Sequence, residues 1–337
     1  MANLKTTYMG IELKNPIIIG ANNMVKNLNS LKKWEIEGAA AIVYKSLFEE
    51  QIQLENLEMQ EAMDEYSDRN AEMVSLFPDI EHAGPKEYLM NLKAAKEAIT
   101  IPLFASLNAV YDETWIEYAK LIEETGVDGL ELNFYATPVD FEKTTGDIED
   151  KQIETLTKIK KSINIPVSVK LSVFYSSPLN FIKKLDEAGA NAIIIFNRFF
   201  QPEIDIYNET HFFPYDLSSQ SDNKLALRFA GLLHGNINAS ICANGGIYYG
   251  EDVIKMLLAG ADAVQVVSTL YKNKEGIINK LIDELEAWMD KKNYAAINDF
   301  KGKLSRNKLT DPFAYKRAQY IDILMNSDNI FKKYPMV

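Results

Sequence analysis

A single cysteine, Cys242, stands in the 337 residues. That excludes a disulfide within the chain, and it excludes a zinc or iron–sulfur site held by cysteines of this chain alone. Histidine is almost as scarce, with three. His82 and His211 fall in long connections and His234 at a helix end before Gly-Asn, places that suit surface or capping roles better than catalysis. No run of about 18 apolar residues occurs, so no membrane span is expected. The opening MANLKTTYMG has no apolar stretch of the kind a secretory signal carries. Positive charge is short as well, with 36 Lys and Arg against 48 Asp and Glu and a formal net charge of −12. A nucleic-acid backbone would be repelled by that balance, although local basic groups could still meet a small phosphate. These absences point to a cytoplasmic protein that handles a small molecule, with neither nucleic acid nor membrane as partner.

What is present is a repeat. Gly126-Val127-Asp128-Gly129, Gly189-Ala190-Asn191-Ala192 and Gly260-Ala261-Asp262-Ala263 each follow a helix-like amphipathic segment, and Gly38-Ala39-Ala40-Ala41 is an earlier version. Glycine takes the left-handed cap that ends a helix, and a short apolar strand starts at once. Between these lie Ile101-Pro102-Leu103 and Ile165-Pro166-Val167, where proline marks the entry to a strand; Asn238-Ala239-Ser240 is a looser third member. The two prolines lie 64 residues apart, and Gly126 and Gly189 lie 63 apart. Each interval therefore holds two strand–helix units. Eight apolar strands result, from Pro16, Ala41, Leu103, Leu130, Val167, Ala192, Ser240 and Ala263. The expected fold is α/β, a single (β/α)8 TIM barrel over residues 1–337, with a doubly wound open sheet as the alternative on pattern alone. Long insertions are expected after strand 2, from Leu47 to about Gly84, and after strand 6, from Arg198 to about Asn223; loops of that length are usually lids or binding loops. The tail from about residue 292, including AAINDFKGKL, is helical in composition and expected to pack on the outside.

In such a barrel the chemistry sits where the strands end. Lys45 and Ser46 close strand 2, Asn108 strand 3, Asn133 strand 4, Lys170 strand 5 and Asn197 strand 6. Asn244-Gly245-Gly246 follows strand 7, and Ser268-Thr269 follows strand 8. Glycines let backbone N–H groups close on an anion, so the last two loops are expected to hold a phosphate. Lys170 lies within VSVKL and could pair with an anionic group of a cofactor or form a Schiff base. Amides at Asn108, Asn133 and Asn197 each offer donor and acceptor together, as a heteroaromatic ring with amide-like edges or a planar carboxylate requires.

From KNPIIIGA to INDFKGKL the chain resembles the dihydroorotate dehydrogenase family of FMN barrels, most closely its soluble class 1 members. The resemblance implies that Ala21, Lys45, Ser46, Asn108, Asn133 and Lys170 meet the flavin, and that Gly245, Gly246, Ser268 and Thr269 hold its phosphate. It implies substrate contacts from Asn133 and Asn197. The activity implied is oxidation or reduction of a CH–CH bond, dihydroorotate to orotate or a related small acid or pyrimidine, within pyrimidine metabolism. A homodimer is implied too, together with a soluble electron acceptor or a partner protein. Direct use of NAD would need that partner, because Cys242 alone holds no cluster, and the quinone-linked class is disfavoured because no membrane-binding extension precedes the barrel.

The sequence also departs from the family. Three residues after the strand-4 asparagine the family has a Cys or Ser base followed by a Pro-Asn pair; here stand Ala136 and then Thr137-Pro138. The family's NSMGLPN-like loop is replaced around NAEMVSLFPD, Arg198 and FFQPEID follow Asn197, and the glycine-rich loop before helix 6 becomes DLSSQS. Thr137, beside the vacated position, and Lys45 are the candidate catalytic residues, with Tyr135, Tyr175 and Ser218 as further hydroxyls. Two other readings stay open: a flavin-binding paralogue without catalysis, and a lyase or isomerase barrel that uses Lys170 or Lys45 on a phosphorylated substrate.

Overall fold

The computed structural model describes residues 2–54, 85–135, 140–273, 275–329 and 332. Its strands, numbered along the chain, begin with an antiparallel hairpin of β1 (Thr6–Tyr8) and β2 (Ile11–Leu13). Eight parallel strands follow: β3 (Ile17–Ile19), β4 (Ala41–Phe48), β5 (Leu103–Asn108), β6 (Gly129–Phe134), β7 (Val167–Leu171), β8 (Ala192–Ile195), β11 (Ser240–Asn244) and β12 (Ala263–Val266). They close in the order β11-β12-β3-β4-β5-β6-β7-β8, the (β/α)8 barrel that the repeat predicts, with each strand within a residue of its expected start. Helices separate most neighbours, among them α1 (Leu28–Ile36), α2 (Pro85–Ala98), α3 (Asp112–Glu124), α4 (Thr145–Ser162), α5 (Pro178–Glu187), α6 (Asn223–Leu233) and α7 (Gly250–Ala259). Among the described residues no helix is long and apolar enough to cross a membrane.

The repeat has a physical cause beyond its glycines. Gly38, Gly126, Gly189 and Gly260 all carry positive φ at helix ends, as the cap requires. Two residues on, Asp128, Asn191 and Asp262 each accept a hydrogen bond from an N–H group at the start of the preceding strand, at Leu103, Val167 and Ile241. Glu35, Glu123 and Asp186 accept from the pairs Thr100/Ile101, Asn164/Ile165 and Asn238/Ala239. The acid or amide in each phrase is thus a clasp that ties one unit to the next and satisfies strand N–H groups that have no partner of their own.

Side chains that point into the barrel are graded along its axis. At the N-terminal end the hairpin inserts Tyr8 and Met9 beside Phe104, Val43, Ile194 and Cys242, an apolar plug. One pleat higher, Ser106, Glu131 and Ser168 stand in register on β5, β6 and β7. One pleat above that, Asn133 and Lys170 are paired in register at the strand ends. Residues of the opposite parity, such as Leu130, Leu132, Val169 and Ile193, pack outward against the helices.

One connection gains detail in the structure, and the expectation for the tail changes. The stretch after β8 contains its own antiparallel hairpin, β9 (Glu203–Asp205) and β10 (Thr210–Phe212). The tail after α9 (Ile277–Lys292) does not continue as helix through AAINDFKGKL. Ile297–Asp299 forms a single 3-10 turn, Gly302 takes φ +70 against the ring of His234, and helix resumes only at α10 (Arg317–Met325). Asp299 accepts from the N–H groups of Ala295 and Ala296, which starts the turn and competes with a longer helix. Of the insertion after strand 2, residues 55–84 and with them His82 lie outside the described residues.

Candidate active site

At the C-terminal ends of the strands two chambers run into one another. The narrow one, about 110 Å³, is walled by Gly245, Gly246, Ser218, Val267 and Ser268. The wide one, about 790 Å³, is walled by Lys26, Lys45, Ser46, Asn108, Asn133 and Tyr135, among others. Ala21, Lys170, Asn197, Arg198, Phe200 and Tyr215 belong to both, so the junction lies over Lys170. Past Tyr135 the wide chamber adjoins a hollow of about 620 Å³ that also touches Asn108 and Asn133.

The narrow chamber owes its shape to close backbone approach. Gly246 has φ +69, and a Cβ there would come within 2.7 Å of the Asn223 nitrogen and the Ser219 carbonyl oxygen. Only glycine lets the segment before α6 lie this near the strand-7 loop. Ser218 completes the wall. Its hydroxyl lies 2.8 Å from the Ser268 hydroxyl and accepts from the Gly246 N–H at 3.3 Å, while its own N–H donates to Ser268 Oγ at 3.0 Å. The Tyr248 hydroxyl and the Lys272 ammonium both donate to the Ser218 carbonyl. Beneath them the fully buried Asp252 accepts from Gln220, Asn223 and the N–H groups of Tyr248 and Tyr249. DLSSQS is thus fastened to the helix that follows the Gly-Gly loop.

The wide chamber is lined by charge and amides. Lys26, Lys45, Lys170 and Arg198 face one acid, Glu50, among its described residues, in a chain whose net charge is −12. Lys45 is buried, its ammonium 5.8 Å from the centre of the Tyr88 ring. Burial, then the charge of Lys26, push its pKa below the ordinary lysine value, while Glu87 opposes them. Asn197 donates its amide to Asn133 Oδ1 at 2.8 Å, which fixes both groups at the rim. Lys170 lies 3.2 Å from Gln265 Oε1 and 3.5 Å from Glu131 Oε1.

Most of the residues expected at the mouth are therefore found together there. Lys45, Ser46, Asn108 and Asn133 line the wide chamber, Gly245, Gly246 and Ser268 the narrow one, and Ala21, Lys170 and Asn197 the junction. Ser46 turns its hydroxyl down to Ser106, 2.8 Å away. Thr269 is not brought to either wall: it is fully buried, its hydroxyl accepting from the Asn273 amide. Thr137 lies outside the described residues. Of the other hydroxyls, Tyr135 lines the wide chamber and accepts from the Phe200 N–H, Ser218 belongs to the narrow one, and Tyr175 points away to Gln152. His234 caps α6 and bonds Ser305, and His211 lies on the exposed hairpin. Sequence reasoning passed over Glu131 and Gln265, although strand alternation places Glu131 on the same face as Asn133.

A sequence model of the family described as dihydroorotate dehydrogenase matches residues 3–289. The catalytic subunit of dihydroorotate dehydrogenase B (NAD(+)) from Thermoplasma volcanium is 29% identical over 307 residues, covering 90% of this chain and 98% of that one. The corresponding subunit from Methanocaldococcus jannaschii is 25% identical, with 86% and 94% covered. Dihydroorotate dehydrogenase A (fumarate) from Lactobacillus helveticus is 28% identical over 212 residues, 61% of this chain and 69% of the relative.

Proposed function

The chain belongs to the dihydroorotate dehydrogenase family, and from that premise we propose that it is an FMN-dependent oxidoreductase acting on a CH–CH bond of a small anionic acid or pyrimidine, with dihydroorotate the first substrate to try. The observation that carries this reading is the junction over Lys170. A small chamber walled by glycine backbone and hydroxyls opens into a large one lined by amides and lysines, which suits a phosphate at one end and a flat polar ring at the other. The crowding at Gly246 supports it indirectly: without a Cβ the segment before α6 packs on the strand-7 loop and gives the small chamber its shape.

When bound, FMN supplies the acceptor for a hydride. The chain's own part is to hold and deprotonate. Asn133 and Asn197, already fixed to each other, would present amide edges to the substrate, and Lys45, unpaired by any carboxylate within hydrogen-bond reach among the described residues, would bind its negative group. Oxidation of a CH–CH bond sends one hydrogen away as hydride and the other as a proton, so a base is required. Ala136 cannot serve, and we assign the proton to Thr137, whose position adjoins it. The electron acceptor in this proposal is a soluble molecule or a partner protein, and the chain self-associates as a homodimer.

Ala136 also favours a second reading, a flavin-retaining protein without the family reaction. One anaerobic titration separates the two. The visible spectrum of the purified protein should be that of an oxidised flavin and should bleach on adding dihydroorotate, and Thr137→Val should slow that bleaching about 100-fold or more while leaving the spectrum intact. A flavin that no candidate acid reduces would favour the second reading. No flavin, even after FMN is added, would sink both and return attention to Lys170 and Lys45 as nucleophiles, testable by borohydride trapping.

A further inference from the structure

A lysine buried at the junction is costly to keep charged, so what stands beneath Lys170 decides what it can do. Lys170 is 6% exposed and Glu131, one pleat below the strand ends, is 1% exposed. Gln265 reaches inward from β12, four strands away around the closed barrel from β6, and bridges the two. Its amide nitrogen donates to Glu131 Oε2 at 2.5 Å, and its amide oxygen accepts from Lys170 at 3.2 Å. The other carboxylate oxygen, Glu131 Oε1, is shut off from solvent and has no hydrogen-bond partner among the described residues. Its nearest cation is the Lys170 ammonium, 3.5 Å away.

This arrangement has no evident value as a barrel core. The neighbouring layer is filled by Phe104, Val43 and Ile194, and apolar residues of similar volume are as stable as a buried ion pair or more so. Nor does Glu131 line either chamber, so it cannot touch a ligand there itself. It reaches them through Lys170, which lines both, and through Gln265, which lines the narrow one. We propose that Glu131, braced by Gln265, is a positioning residue that fixes the place and the net charge of the Lys170 ammonium, and thereby tunes how firmly a bound electron-accepting ring holds an electron pair. The tuning rests on the flavin reading above; the Glu131–Lys170 coupling does not.

Reduction adds negative charge to the ring. Removing the carboxylate's charge leaves the ammonium less compensated, so the reduced form gains. The test is a cycle of Glu131→Gln, Lys170→Gln and the double variant, read by the flavin midpoint potential. Glu131→Gln should raise the reduced-to-oxidised ratio about tenfold, which is about 30 mV for a two-electron couple. Lys170→Gln should lower the potential, and Glu131→Gln added to it should then shift nothing further. Gln265→Leu, which breaks the brace but keeps both charges, should shift the potential by less than Glu131→Gln, and again only with Lys170 present. A fall in potential, no change, or an equal shift in both backgrounds would overturn the proposal.

A second arm needs no flavin. In flavin-free protein each single substitution leaves a buried charge unpaired, so each should lower Tm by more than the double variant does. Additive losses would refute the coupling. If the wild type takes up no FMN, the flavin reading fails, and the Tm cycle still decides the pair.

Discussion

The narrow chamber is walled by backbone and short hydroxyls, the wide one by long charged side chains and amides. They share a floor at Lys170 and five wall residues, yet they answer to different constraints. In the narrow chamber Gly246, Ser218, Ser268 and Asp252 are tied to one another, so its form is set before any ligand enters. In the wide chamber the fixed contacts are scattered pairs, among them Asn133–Asn197, Tyr135–Phe200, Arg198–Asp222 and the bonds of Lys170 and Ser46 to residues below. Of the departures from the family's residues, Arg198 lines both chambers and DLSSQS walls the narrow one through Ser218, while the Gly-Gly loop beside it is kept. A prebuilt cradle can change only where its own contacts are rebuilt, as they are by Ser218 of DLSSQS with Gly246 and Ser268. A chamber of separately placed polar groups can be redrawn one residue at a time, which is how a cofactor end could persist while a substrate end diverges.

That contrast is broken most severely at Gly246. Gly246→Val places a branched side chain within 2.7 Å of two backbone atoms at φ +69, where neither neighbour can move without unfastening the segment before α6. Flavin affinity should fall by more than about 100-fold, roughly 3 kcal/mol of steric and backbone strain, seen as loss of yellow colour on gel filtration. Gly245→Ala is the control. It has φ +90 but nothing within 4 Å, so the cost should stay near 1–2 kcal/mol of backbone strain. Equal effects at the two glycines would mean that the chamber is not prebuilt.

On the other side of the comparison, Lys45→Met should leave the flavin spectrum in place and weaken substrate binding by about 10- to 100-fold, the range of a hydrogen bond to a charged group. Titration of the loaded protein separates the two readouts, and loss of flavin instead would assign Lys45 to the cofactor. Asp252→Asn comes next. It removes the charge that accepts from Gln220, Asn223 and two backbone N–H groups beneath the cradle. Tm should drop and flavin affinity should fall about tenfold, with substrate affinity of the flavin that remains unchanged.

The barrel was legible because its rules are local and repeated: a glycine that ends a helix, a proline that opens a strand, an acid or amide two residues past the glycine. The strand ends were legible for the same reason, since Lys45, Asn108, Asn133 and Lys170 each sit at the last polar place of an apolar run. Contacts between distant strands were not. Nothing in AVQV announces that Gln265 will meet Glu131, 134 residues earlier in the chain, because that contact exists only once the barrel closes. Thr269 shows the converse. A hydroxyl pair after strand 8 promises two ligands, but the helix α8 (Ser268–Lys272) that starts there turns successive side chains apart, and only Ser268 faces the chamber. The 3-10 turn at Ile297 was missed because composition does not weigh Asp299 capping against propagation of a helix.

The smallest expected effect concerns the environment of Lys45 rather than Lys45 itself. Its pKa is lowered by burial first and by the Lys26 charge second, and raised by Glu87. An anion bound through the ammonium is held fully below that pKa and released as pH rises through it. The alkaline limb of substrate affinity should therefore begin below the ordinary lysine value of 10.5. Lys26→Met removes a repelling charge, so the limb should move to higher pH; Glu87→Gln removes an attracting one, so it should move lower. Both shifts should shrink as salt is added, because Lys26 acts through space rather than by contact. Should the two substitutions move the limb in the same direction, or leave it where it is, the limb belongs to another group and the wide chamber binds its anion without Lys45. Opposite shifts of a few tenths of a pH unit would show a chamber whose charges still act as separate, adjustable parts, unlike the interlocked cradle beside it.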